Sequence, residues 1–166
     1  MESNQQHIAS WTYSSKEWDQ FVTVEKKNKL QDNIYLGIGI VIVGTIGLMF
    51  IRDTSFWIGL LFSLPIAIII PVLRMVLSYK HLKKGVQNPQ VEVFKNYLLI
   101  NGKKIETQEK GRWLKSVKIL DPKDGVNLLQ FEIEWKAGKG KTGDEYRIPI
   151  PKNQTQEAER VLKLLG

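Results

Sequence analysis

The run IYLGIGIVIVGTIGLMFI, residues 34–51, holds eighteen positions without a charge, and beyond Arg52 and Asp53 the run TSFWIGLLFSLPIAIIIPVL, residues 54–73, adds twenty more. As helices rising about 1.5 Å per residue they measure roughly 27 Å and 30 Å, the thickness of a bilayer's hydrocarbon core. The two runs predict transmembrane spans over 34–51 and 54–77. A soluble protein would have to bury this apolar length under a far larger shell than a 166-residue chain has left to build. With only two charged residues between them, the spans return antiparallel, which puts residues 1–33 and 85–166 on one side of the membrane. Lys26, Lys27 and Lys29 before the first span, and Arg74, Lys80, Lys83 and Lys84 after the second, outweigh Arg52 and Asp53 at the tip, so both termini are expected in the cytoplasm. A cleavable leader is not expected, because Glu17, Asp19, Glu25 and Asp32 precede the first apolar run.

Inside the spans, Gly59, Ser63 and Ala67 recur every four residues on one helix face, and Gly37 and Gly44 lie a heptad apart on the other helix. Small residues at this spacing allow close backbone approach, so the Gly59, Ser63, Ala67 face is a candidate for homo-oligomer contacts. Pro65 and Pro71 withdraw backbone donors from the second span and are expected to bend it. No ionisable group sits at mid-membrane, which leaves a proton relay, an ion-coupling site or a voltage sensor without residues.

Ahead of the spans, HIASWTY at 7–13 has the pattern of an extended strand able to join a sheet in the carboxy-terminal domain. Ser14 and Glu17 have capping-box spacing, so a helix should start near Ser15 and run into the membrane. Trp18, Phe21 and Val22 give that helix an apolar stripe, to be covered by the carboxy-terminal domain or, alternatively, by lipid headgroups.

After Lys84 the hydrophobic period changes to two. In NLLQFEIEWK, Leu129, Phe131, Ile133 and Trp135 alternate with Gln130, Glu132, Glu134 and Lys136. The stretch VEVFKNYLLI, 91–100, read as one strand, meets KKIET across Asn101-Gly102, a strong hairpin signal. WLKSVKIL, 113–120, is a strand ending in the turn DPKDG, and EYRIPIP, 145–151, is a last strand that Pro149 and Pro151 confine to an edge. Asn153 is placed to cap a closing helix with Ala158, Val161, Leu162 and Leu165 on its apolar face. The expected fold class is an α+β membrane protein: a two-helix transmembrane hairpin plus a small antiparallel sheet of about five strands, or a partial barrel, capped by a carboxy-terminal helix.

A meander followed by a terminal helix resembles the pleckstrin-homology-like folds of bacterial membrane proteins. The segments RIPIPKNQTQEAERVLKLL, 147–165, and YLLINGKKIE, 97–106, following a double span, are similar to the small two-span, PH-like bacterial proteins of the YcxB-like group. The resemblance implies a bacterial inner-membrane protein with a cytoplasmic PH-like domain of seven strands, and it implies no catalytic residues.

Lys80 to Gly166 contains 18 Lys and Arg against 11 Asp and Glu, a net of 18 − 11 = +7, the whole excess of the molecule. An acidic partner follows: anionic headgroups, for which each basic residue near the surface contributes about 1 kcal/mol, or an acidic protein. Lys103, Lys104, Arg112, Trp113, Lys139 and Lys141 are the candidate contacts, Trp113 being also a candidate core residue. The segment AGKGKTGD, 137–144, is not a Walker loop, because Trp135 stands where glycine is required; it is expected to be a hairpin connection. Nucleic acid is not an expected partner, for want of exposed aromatics among the cations.

The chain has no cysteine and only His7 and His81, and Asp121 and Asp124 lack the further oxygen ligands of a calcium loop. No metal, cofactor or enzymatic activity is expected. The function expected is a membrane-anchored, non-catalytic adaptor that binds a protein or anionic headgroups. The rival is an effector whose small barrel senses an anionic nucleotide second messenger and whose spans oligomerise to breach the bilayer. A third reading is a subunit of a larger membrane complex.

Overall fold

A computed structural model describes residues 6–79, 81–123, 125–138 and 140–166. The chain divides into two compact units, one formed by residues up to Val24 together with Lys83–Gly166, the other by Glu25–Leu82.

The first unit opens with β1, His7–Thr12, in which Ala9 and Trp11 are buried. Helix α1, Ser15–Arg52, begins on a reciprocal cap. The backbone N–H of Glu17 donates to Ser14 Oγ at 3.2 Å, and the backbone N–H of Ser14 donates to Glu17 Oε2 at 3.0 Å, so two donors that the first turn leaves open are satisfied. The Ser14 hydroxyl also donates to Glu17 Oε2, at 2.7 Å, and these bonds hold the Glu17 carboxyl below its usual range. Trp18, Phe21 and Val22 are buried as their stripe predicts; Trp18 stacks obliquely between Tyr13 and Phe21 and donates its indole N–H to the Lys83 carbonyl at 2.9 Å. Their burial within this unit overturns the alternative in which they rest among headgroups.

Among the described residues six strands follow the helices, against the five expected, and β1 makes a seventh. They are β2, Gln90–Phe94; β3, Tyr97–Ile100; β4, Lys103–Glu106; β5, Arg112–Lys123; β6, Val126–Ala137; and β7, Gly140–Pro149. All neighbours are antiparallel, in two sheets of order β1-β2-β3-β4 and β5-β6-β7 that do not close into a barrel. The stretch 91–100 is therefore not one strand. It folds back at Lys95 and Asn96, pairing Val93 with Leu98 and Val91 with Ile100. At Asn101-Gly102 both residues have positive φ, 49° and 76°, the geometry of the tight turn anticipated there.

Strand β5 continues through Asp121 and Pro122 to Lys123, so Asp121 lies in a strand rather than in the expected turn; Asp124 is outside the described residues. Within 137–144, Ala137 and 140–144 are strand residues: Ala137 pairs with Gly140, Lys136 with Lys141 and Glu134 with Gly143. Gly143 is required there, since a Cβ would stand 2.8 Å from the Ile133 carbonyl oxygen. Pro149 ends β7, which is an edge strand as the prolines demand.

Helix α3, Thr155–Leu165, packs on β5 and β1 and buries Ala158 and Val161. Its N-cap is Gln154 without a side-chain cap, in place of the expected Asn153, and the Gly166 N–H closes its end on the Leu162 carbonyl at 2.8 Å. Long-range bonds tie the amino-terminal arm in: Trp11 donates to Glu157 Oε2 at 2.8 Å, and Tyr13 donates to the Pro149 carbonyl at 2.7 Å. Trp11, Val93, Leu98, Leu129, Phe131 and Ile148 form the centre of the core, each fully buried.

The second unit is the helical hairpin. It comprises α1 from Glu25 onward and α2, Phe56–Ser78, which runs through Pro65 and Pro71 as a single helix. The chain reverses at Asp53, at a φ of 49°. Glycines set the crossing: a Cβ on Gly44 would lie 2.6 Å from Ser63 Oγ, one on Gly59 would lie 3.0 Å from the Thr45 carbonyl, and one on Gly37 would lie 3.1 Å from the Ala67 carbonyl. The Gly59, Ser63, Ala67 face is thus occupied by α1 of the same chain, not presented to a second copy. Both helices are long and apolar enough to cross a membrane.

Candidate functional site

The register of β5, β6 and β7 sorts the expected contact residues into two faces. Directly opposed residues point the same way, so Arg112, Trp135 and Thr142 share the core-side face of that sheet, while Trp113, Glu134 and Gly143 share its outer face. The Arg112 guanidinium sits 5.1 Å from the Trp135 ring centre, and one of its N–H groups donates to the Glu106 carbonyl at 3.5 Å, joining the start of β5 to the end of β4. Arg112 is therefore placed to hold the two sheets together at this end, with less freedom to meet a ligand than its charge suggested.

Trp113 is half-buried on the outer face, with the Lys141 ammonium 5.4 Å from its ring centre. The expectation that it belongs to the core is thus incorrect. A bulge between Leu114 and Ser116 turns Lys115 and Ser116 both toward this face. Lys115 Nζ meets Glu132 at 2.5 Å and Glu134 at 2.9 Å, and Ser116 donates to Glu132 at 3.0 Å. The carboxylates lift the Lys115 ammonium well above the usual lysine range, while Lys115 and Ser116 lower Glu132. Farther along, Arg147 bonds Gln130 at 2.9 Å and Glu145 at 2.6 Å. The acids of this face are thus held by neighbouring cations.

Lys103 and Lys104 lie on β4, apart from Trp113 and Lys141. Lys104 pairs with Glu106 at 2.6 Å and stands 4.5 Å from the Tyr97 ring centre; the hydrogen bond to Glu106 raises its affinity for the proton. Lys103 is exposed at the turn. Lys139 lies outside the described residues. The five expected contacts among the described residues thus form no single cluster: the structure joins Trp113 with Lys141, and sends Arg112 inward.

Sequence reasoning missed an aromatic row on the outer face of the other sheet. Phe94 stacks on Tyr97 at 4.4 Å and 16°, with His7 edge-on to Phe94 at 5.1 Å and Lys104 beside Tyr97. In one continuous strand Phe94 and Tyr97, three residues apart, would face opposite ways; the fold-back at Lys95 and Asn96 brings them together. The signal was present as a change of parity, since Val91 and Val93 are buried at odd positions and Leu98 and Ile100 at even ones.

The base of the hairpin holds a second polar group. Glu25, Asn28, Lys29, Asn33 and His81 are all buried in the hairpin unit. Lys29 Nζ is 4.0 Å from Glu25 Oε1 and 5.2 Å from the Tyr79 ring centre, and Asn33 donates to the Lys29 carbonyl at 2.8 Å. Lys29 is accordingly an internal residue rather than an exposed flanking charge.

No family model, curated protein or solved structure matches this chain.

Proposed function

We propose that the chain is a membrane-anchored, non-catalytic adaptor: the α1–α2 hairpin resides in the inner membrane of a bacterium, and the unit built from both chain ends, a PH-like domain, binds an anionic partner in the cytoplasm. One observation carries the anchor. Within the most apolar eighteen-residue stretch of each helix only 6% and 22% of the residues are buried, whereas a core helix of a soluble protein would be mostly covered. Side chains as large as Phe50, Trp57 and Leu61 stand outward. The pairing of β1 with β2 supports a same-side arrangement, because β1 precedes the first span and β2 follows the second. Seven described strands in sheets of four and three, followed by a packed terminal helix, support the PH-like reading. The net +7 of residues 80–166 supports an anionic partner, met by Lys141 beside Trp113 and by Lys103.

The absence of cysteine makes the test clean, because any introduced thiol is unique. In vesicles carrying the full chain, Lys16→Cys and Lys163→Cys are expected to react with an impermeant maleimide from one side and Asp53→Cys from the other. Reaction of Lys16→Cys and Lys163→Cys from opposite sides overturns the topology. For the partner, anionic liposomes are expected to bind the domain in a way that high salt abolishes. A tight, saturable complex with a cyclic oligonucleotide would instead establish the effector reading.

A further inference from the structure

We propose that the hairpin carries a binding site for one anionic phospholipid, with an acyl chain in the groove between α1 and α2 and the headgroup at Lys26 and Lys27. The proposal rests on the membrane reading above and names a ligand for the anchor itself. The groove encloses about 440 Å³, inside the range of about 300–1,000 Å³ usual for small-molecule sites. Its walls include Ile38, Ile68, Pro71 and Met75, and its floor is Gly37 against Ala67, where the missing side chain lets the two backbones approach. An occupant of this slot has to be apolar and elongated.

Only one end is polar. There Asn33 lines the groove, buried, with its amide N–H on the Lys29 carbonyl and its Oδ1 without a hydrogen-bond partner among the described residues. One turn before Leu30 come Lys26 and Lys27, both exposed. At about 100° per residue they fall on the groove's side of α1, and Asp32 falls on the far side. The groove on the opposite face, between Tyr35, Val43 and Phe62, accordingly has Asp32 at its polar end. The exposed Lys26 and Lys27 make the polar end of the first groove complementary to a phosphate. An apolar slot ending in two cations suits a lipid with a net negative phosphate. Phosphatidylglycerol carries that net charge, and phosphatidylcholine carries none.

The full chain, purified in a neutral detergent, is offered phosphatidylglycerol or phosphatidylcholine, and retained lipid is counted by native mass spectrometry. One phosphatidylglycerol per chain is expected to be held in preference. The Lys26→Gln/Lys27→Gln double variant should weaken its retention by about 25-fold, roughly fivefold for each charge, and leave phosphatidylcholine unchanged. Ile38→Trp, which fills the slot, should lower retention of both lipids. Equal retention of the two lipids by the natural chain, or unchanged phosphatidylglycerol retention in the double variant, overturns the site. Extraction by carbonate from pure phosphatidylcholine vesicles serves as the control for the anchor. A chain that washes off overturns the membrane reading and the site together, whereas one that stays in those vesicles but shows no lipid preference overturns the site alone.

Discussion

Phe131 in β6 and Phe50 near the end of α1 are the same side chain in opposite surroundings: the first is wholly buried between sheets, the second 83% exposed. The same contrast separates the two units as wholes. In the sheet unit the apolar residues alternate with charged ones, and two sheets and a helix close over them. In the hairpin they surround both helices, and two helices crossing at Gly37, Gly44 and Gly59 leave most of them uncovered. The period of the apolar residues separates the two units: alternate positions where two sheets close over them, and continuous runs where the helices leave them outward.

The largest test of this contrast is Phe131→Ala, expected to cost about 3–5 kcal/mol by denaturation of the full chain in detergent, against a change within about 0.5 kcal/mol for Phe50→Ala. A comparable loss at Phe50 would mean that protein covers it and would break the comparison. Next comes Gly44→Leu, which drives a side chain into Ser63 and should cost about 1–3 kcal/mol in thermal unfolding followed by helical circular dichroism. Gly39→Leu, with nothing within 4 Å of its Cβ position, is expected to be tolerated, which sharpens the distinction between the inner and outer sides of α1.

Smaller again is Ser14→Ala, expected to cost about 1 kcal/mol through loss of the helix cap. Its effect should depend on pH in a definite direction. The Glu17 carboxyl is lowered in the folded chain, so its contribution is complete above the unfolded carboxylate range and is lost as pH falls through the lowered folded value. Glu17→Gln should remove that part of the acid sensitivity, as read from melting temperature against pH. The smallest effect is expected from Lys115→Met, since exposed ion pairs contribute little. Its signature is a loss of salt dependence in the melting temperature rather than a large drop.

Much of the arrangement was legible because it rests on local chemistry. The charge-free runs, the capping box at Ser14 and Glu17, the Asn101-Gly102 turn and the edge position of Pro149 each follow from one or two residues. The failures lie where a neighbouring strand decides. VEVFKNYLLI has enough β-formers for one strand, and only the shift of buried positions from odd to even marks the reversal at Lys95 and Asn96. AGKGKTGD has the composition of a loop, yet Gly143 is a strand residue, needed because the Ile133 carbonyl approaches closely. Trp113 was ambiguous by type; the pairing of Arg112 with Trp135 is what turns Trp113 outward. For the candidate site, charge alone identified cations, but not that Lys104 and Lys115 are held by acids or that Arg112 is turned toward Trp135.

The indole of Trp11 reaches a carboxylate 146 residues farther along, and β1 pairs with a strand that follows both helices. During synthesis β1 leaves the ribosome long before its partners exist, and it has to wait while the greasy middle of the chain is translated. Local pairings such as β2 with β3 can form promptly, but the sheet reaches full width only after that middle has been made. Completion of the polar domain therefore reports that both helices have been synthesised, and a ribosome stalled between them leaves β1 with no sheet to join.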